Sequence, residues 1–200
     1  MELDPEDRTR LGALLLLVAV AEFSLAMLWA QAVYPGYSLQ TNYISDLGVG
    51  STALIFNVGV VIFGLLVAAG AVVGLEGFPE RVQLPAAGLL LFAGIGAVFV
   101  GLEPETTGAP HLFAAGVAFG LGAVVALLVG ADLWAEGRQA LGAFGVAVGL
   151  LGIVALVVLA PLGVGALIGV GTVERLIAYP ELLWLFVTGA VLLVDPEALK

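Results

Sequence analysis

The sequence predicts an all-α polytopic membrane protein, a bundle of six transmembrane helices. Of its 200 residues 62% are hydrophobic and 11% charged, under half the roughly 25% of charge typical of a soluble domain. Apolar segments reach the length of about 20 residues that a helix needs to cross the hydrocarbon, and within them lie runs such as "LGALLLLVAVAEF" and "LGIVALVVLA". Neither run alternates polar with apolar residues, as the strands of a membrane barrel must.

The elements follow in order. A first span runs from about Leu11 to Val33 and stops at "YPGY", and a second from about Thr52 to Leu75, before "EGFPERVQ". The third, opened by Pro85, reaches about Leu102; the fourth runs from His111 to Trp134, and the fifth from Gln139 to Ala160, ended by Pro161. The sixth runs from Tyr179 to Val194, with Pro180 suited to a first helical turn. Residues 161–175, "PLGVGALIGVGTVER", are apolar and Gly-rich after a proline. They read either as helix five continuing past a kink or as an interfacial or re-entrant segment. This gives one transmembrane domain, 11–194, between an acidic N-terminal tail, 1–10, and a C-terminal tail, 195–200. The acidic start and long apolar run mark a retained helix rather than a cleaved leader.

Arg8, Arg10, Arg81, Arg138 and Lys200 fall on one side of six spans, and only Arg175 on the other. The positive-inside rule then places both termini in the cytoplasm of a multi-pass cell-membrane protein. Three loops face outward: "YSLQTNYISDLG" (37–48), "GLEPETTGAPH" (101–111) and "GVGTVER" (169–175). They hold the single histidine, so the polar chemistry gathers at the outer face.

Composition also excludes. With no cysteine and one histidine, thiolate chemistry, iron–sulfur clusters and multi-histidine metal centres are ruled out; no metal and no cofactor is expected. A net charge of −10 argues against nucleic acid as a partner; the expected partner is membrane lipid. Small-xxx-small pairs at Gly70/Gly74, Gly116/Gly120, Gly145/Gly149 and Gly165/Gly169 suit close helix packing within the chain, or a homo-oligomer seam.

Within "YSLQTNYISDLG" (37–48), a helical turn would put Asn42, Ser45 and Asp46 on one face, with Ile44 and Leu47 turned to lipid or core. The plain alternative is capping of the next helix. His111 opens span four on the same side, so a Ser45–His111–Asp46 relay is conceivable. Arg175, with Glu174 beside it, wants a carboxylate among Asp46, Glu103 and Glu174. It reads either as a loop clamp or as a site for an anionic group. Glu22 falls near the middle of span one, where it is expected to be neutral or paired, and Asn57 lies in span two.

Taken together, "NYISDLG", the following "LIFNVGVVIFGLL", the histidine opening span four, and "ER" before "YPELLW" resemble the six-span prokaryotic membrane family catalogued as domain of unknown function 998. The matching positions are Asn42, Ser45, Asp46, Gly48, Phe56, Asn57, His111, Glu174 and Arg175. The resemblance implies the fold and no activity. Membrane ceramidase-like hydrolases, by contrast, bind their metal with several histidines, and this chain has one.

Three functions are compatible with the residues. One is a lipid-handling hydrolase or transferase, with Ser45 as nucleophile, His111 as acid or base and Arg175 on the anionic group. A second is a small transporter or channel with Glu22 as its intramembrane ion site. The third is an accessory membrane protein whose polar cluster only clamps loops.

Overall fold

The computed structural model describes residues 3–200; Met1 and Glu2 of the acidic tail lie outside the described residues. The helices are α1 (Pro5–Val33), α2 (Ala53–Val73), α3 (Gln83–Leu102), α4 (Ala109–Ala135), α5 (Gln139–Val154), the short α6 (Gly165–Ile168) and α7 (Val170–Val194). All but α6 belong to the six segments long and apolar enough to cross a membrane, so the chain is a multi-pass membrane protein. Consecutive spans pack side by side, and α7 closes the ring against α1 and α5.

Glycine sets how closely the backbones meet. A side chain on Gly12 of α1 would run into the Gly70 and Gly74 backbone of α2, and one on Gly145 of α5 into Gly130 of α4. The Gly70/Gly74 and Gly145/Gly149 pairs are therefore used inside the bundle, where small residues are what close helix approach in lipid requires.

Two helices begin earlier than their hydropathy suggests. α1 starts at Pro5, because Asp4 accepts the Asp7 N–H at 2.8 Å as an N-cap and acidic residues suit a first turn. Its polar start is held by Arg8–Glu76 at 3.4 Å and Arg10–Glu6 at 3.3 Å. α7 starts at Val170, so Glu174 and Arg175 are helical rather than in a loop, and Pro180 lies inside the helix instead of opening it.

The segment after α5 is neither a plain continuation nor one loop. α5 widens into a π-helical turn over Ala155–Leu159, and Pro161, with no N–H to give, ends it. A turn through Gly163 at φ 68° leads into α6, and Gly169 at φ 97° starts α7.

The start of α1, the C-terminal residues, the 75–82 connection and Arg138 share one end of the bundle. There Arg81 pairs with Glu136, and Arg138 donates to the carbonyls of Ala198 and Lys200. Leu199 is buried beneath that clamp. Segments 34–52, 103–108 and 160–169 cap the other end.

Candidate functional site

The cap is built from the residues of the 37–48 stretch. Asn42 donates to the Asp46 carboxylate at 2.8 Å, and the Tyr43 N–H donates to the same oxygen at 3.0 Å. Asn42 in turn accepts the Ser38 N–H at 3.1 Å. A 3-10 turn follows over Ser45–Gly48, and its N-terminal N–H groups, those of Ile44 and Ser45, both point at the Glu174 carboxylate of α7. Ile44 and Leu47 face the core. Asn57 donates to the Gly48 carbonyl at 3.0 Å, fixing the turn to α2. Thr52 ties the same turn through the Leu47 carbonyl at 2.8 Å.

Arg175 takes no carboxylate among the described residues. Its guanidinium donates to the carbonyls of Leu39 at 2.7 Å, Asn42 at 3.3 Å and Gly171 at 2.8 Å, and to the Tyr37 hydroxyl at 2.8 Å. Tyr37 passes the contact on, donating to the Tyr43 carbonyl at 2.8 Å. The Gly171 N–H donates to the Gln40 carbonyl at 2.9 Å. A side chain on Gly171 would collide with the carbonyls of Leu39 and Asn42. The 37–43 loop is thereby bolted to the start of α7 through both terminal nitrogens of the fork, while its Nε is buried without a partner among the described residues.

Beneath the cap lies an internal cavity of about 70 Å³. Helices α2, α3, α4 and α7 each contribute a stripe at helical spacing: Phe56, Val60, Phe63 and Val67 from α2; Leu90, Ala93, Ala97 and Val100 from α3; His111, Ala115, Ala118 and Gly122 from α4; Glu174, Ala178, Glu181 and Leu185 from α7. Ser45, His111 and Glu174 form its ceiling, and Glu181 lies deeper. Phe23 of α1 packs against Phe56 and Phe63 along the wall in tilted ring contacts, at centroid distances of 5.8 and 5.2 Å. No lysine or arginine lines the space.

The structure thus brings Ser45, His111 and Glu174 to one cavity, without a Ser–His–Asp relay. The His111 Nδ1 meets the Glu103 carbonyl at 2.7 Å, which leaves Nε2 free, while Asp46 is engaged by Asn42 and Tyr43. Glu103 contributes this carbonyl. Glu22 packs against Gly59 of α2, and neither it nor Asn57 borders the cavity.

Two residues escape a reading by spacing alone. Glu105, in the connection before α4, meets Asp46 across the cap. Burial, the hydrogen bond shared with Asp46 and the charge of Asp46 push its carboxyl up to about 6, against a smaller opposing effect of a Ser45 hydrogen bond. The folded protein therefore keeps a proton that the unfolded chain releases near 4.5, and stability falls as pH rises from about 4.5 to about 6. Because the group is partly solvated, the drop is expected to be under about 1 kcal/mol. Thermal unfolding against pH should fall more steeply over this window in the native chain than in Glu105→Gln; equal slopes in the two proteins would contradict it.

The other is Glu181. Its Oε1 is buried with no hydrogen-bond partner, and its Oε2 occupies the room left by the missing side chain of Gly122. It sits seven residues after Glu174, a spacing that returns to the same helix face. That signal is present in the sequence, but it is visible only once α7 is known to begin at Val170.

No curated protein and no solved structure matches the chain. A family described as "Protein of unknown function (DUF998)" matches residues 17–191. That match spans α2 to α6 whole and most of α1 and α7, including the cap and every lining residue of the cavity, so the chain belongs to this family of membrane proteins.

Proposed function

We propose that the protein is a small carrier that takes up protons or small cations into the cavity under the cap, with Glu181 as its intramembrane site. The observation that carries this reading is the α7 face. It presents two carboxyl groups two turns apart, about 10 Å along the axis, to one cavity without a basic side chain. An ionisable group at membrane depth is costly, and such groups mark ion and proton pathways. Glu181, rather than Glu22, has the cavity this role requires. The bias of Arg and Lys to the opposite end supports a cap facing away from the cytoplasm, with both termini inside. On this reading Arg175 and the Asn42–Asp46 pair hold the cap in place.

The hydrolytic alternative retains one support, the free Nε2 of His111 beside the same cavity as Ser45. The test is flux into vesicles. The purified protein is reconstituted with a pH-sensitive dye inside, and an inward-negative potential is imposed. The native chain should acidify the lumen faster than empty vesicles, and Glu181→Gln should remove most of that excess while Glu22→Gln keeps it. Flux equal to empty vesicles sinks the carrier, and covalent labelling of Ser45 by a fluorophosphonate favours the hydrolase in its place.

A further inference from the structure

The chemistry of the cavity restricts what it can hold. A hard metal ion collects several oxygen ligands, and among the described residues no group of three or more His, Asp or Glu side chains is placed to bind one. The walls offer aromatic rings instead: Phe23, Phe56, Phe63, Phe119 and Trp184 all border the space. Aromatic faces attract organic ammonium ions, more strongly where water is excluded, and a single carboxylate completes such a site by a charge-assisted hydrogen bond. Glu181 supplies that carboxylate, with an oxygen that no protein group satisfies. An unpaired buried polar atom costs about 1–3 kcal/mol, so a donor reaching it gains what the fold leaves unmade.

Length is restricted as well. Glu174 and Glu181 stand about 10 Å apart along α7. Two ammonium–carboxylate contacts of about 2.8 Å each leave about 5 Å between the nitrogens, the span of three or four methylenes. Between Glu181 and the ceiling of Ser45, His111 and Glu174 the lining is apolar, which suits a methylene chain.

We propose that the cavity binds a linear aliphatic amine, its ammonium on Glu181 and its chain along the aromatic wall, with a second ammonium at Glu174 making short diamines the tighter ligands. The proposal names the substrate class of the carrier and rests on that reading for passage, though not for binding.

Trp184 borders the cavity, whereas Trp29 and Trp134 are exposed. In a full-length Trp29→Phe, Trp134→Phe background, Trp184 fluorescence reports titration with 1,4-diaminobutane, butylamine and 1-butanol. The diamine should bind at least about tenfold tighter than butylamine, and butanol should not saturate. Glu181→Gln should weaken both amines at least tenfold, and Glu174→Gln should reduce the diamine to the level of butylamine. Gly122→Ala, which drives a methyl into the Glu181 carboxyl, should weaken both; it carries the test if Glu181→Gln fails to fold. Butanol binding as tightly as butylamine, or amine affinity unchanged in both Glu181→Gln and Gly122→Ala, overturns the proposal. Equal binding of diamine and monoamine overturns the role of Glu174. Amine binding without Glu181-dependent flux removes the carrier and keeps the amine site, and flux without amine binding does the reverse.

Discussion

Arg175→Ala is expected to lower stability by about 3 kcal/mol and to release the 37–43 loop from α7. The substitution leaves the carbonyls of Leu39 and Asn42 and the Tyr37 hydroxyl without their donor, and each of these part-buried orphans costs about 1 kcal/mol, the low end of the range for a buried group. The Gly171 carbonyl suffers less, because the helix offers it another partner. Packing is lost as well, since the guanidinium lies 5.7 Å from the centre of the Tyr37 ring, a cation–π contact. Arg175→Lys should fall between the two: an ammonium can serve the carbonyls but lacks the fork that reaches Tyr37 at the same time. Thermal unfolding in detergent ranks the three proteins, and limited proteolysis between residues 35 and 49 reads the loop directly. If Arg175→Ala unfolds at the native temperature with its loop still protected, the clamp is not what holds the cap.

That clamp also shows where a sequence stops being informative. The six spans are legible because hydrocarbon demands about 20 apolar residues, and no other fold uses such runs. Their boundaries are less so. Asp4 and Pro5 are ordinary helix-start signals, yet hydropathy ignores a polar first turn, so α1 extends into the tail. α7 extends upward for another reason: its first turns are stabilised by a loop from far away in the chain, through Gln40 and Gly171. The spacing of Asn42 and Asp46 puts them on one face of a turn, and in the fold the Asn42 amide donates to the Asp46 carboxylate. It does not predict that the Arg175 fork is filled by carbonyls, because carbonyl acceptors have no signature in side-chain identity. Much of the "NYISDLG…FN" pattern is explained as cap construction: Ile44 and Leu47 fill the core, Gly48 leaves room for Asn57, and Asp46 braces the loop. The groups that face the cavity, Ser45, His111, Glu174 and Glu181, are interleaved with these at helical spacing and are separable only in three dimensions.

Glu174 belongs to both sets, and its two roles can be divided by substitution. It is the common acceptor for the Ile44 and Ser45 N–H groups, and it is the upper carboxyl of the cavity. Glu174→Ala removes the acceptor and strands two N–H groups at the start of the 3-10 turn, so a loss of about 2–4 kcal/mol is expected. Glu174→Gln keeps one acceptor oxygen in place and loses the charge, so most of the stability should survive, with a cost of about 1 kcal/mol from the weaker neutral hydrogen bonds. The functional ordering should differ from the structural one. If the charge matters to the cavity, the glutamine protein, though folded, should show the reduced cation uptake of an interior with Glu181 alone. Unfolding temperature and vesicle flux, measured on the same two proteins, separate the outcomes. A glutamine variant with native stability and native flux would assign Glu174 to cap construction alone and leave Glu181 as the single working carboxyl group of the cavity. Equal unfolding temperatures for the alanine and glutamine proteins would instead remove Glu174 as the acceptor that anchors the turn.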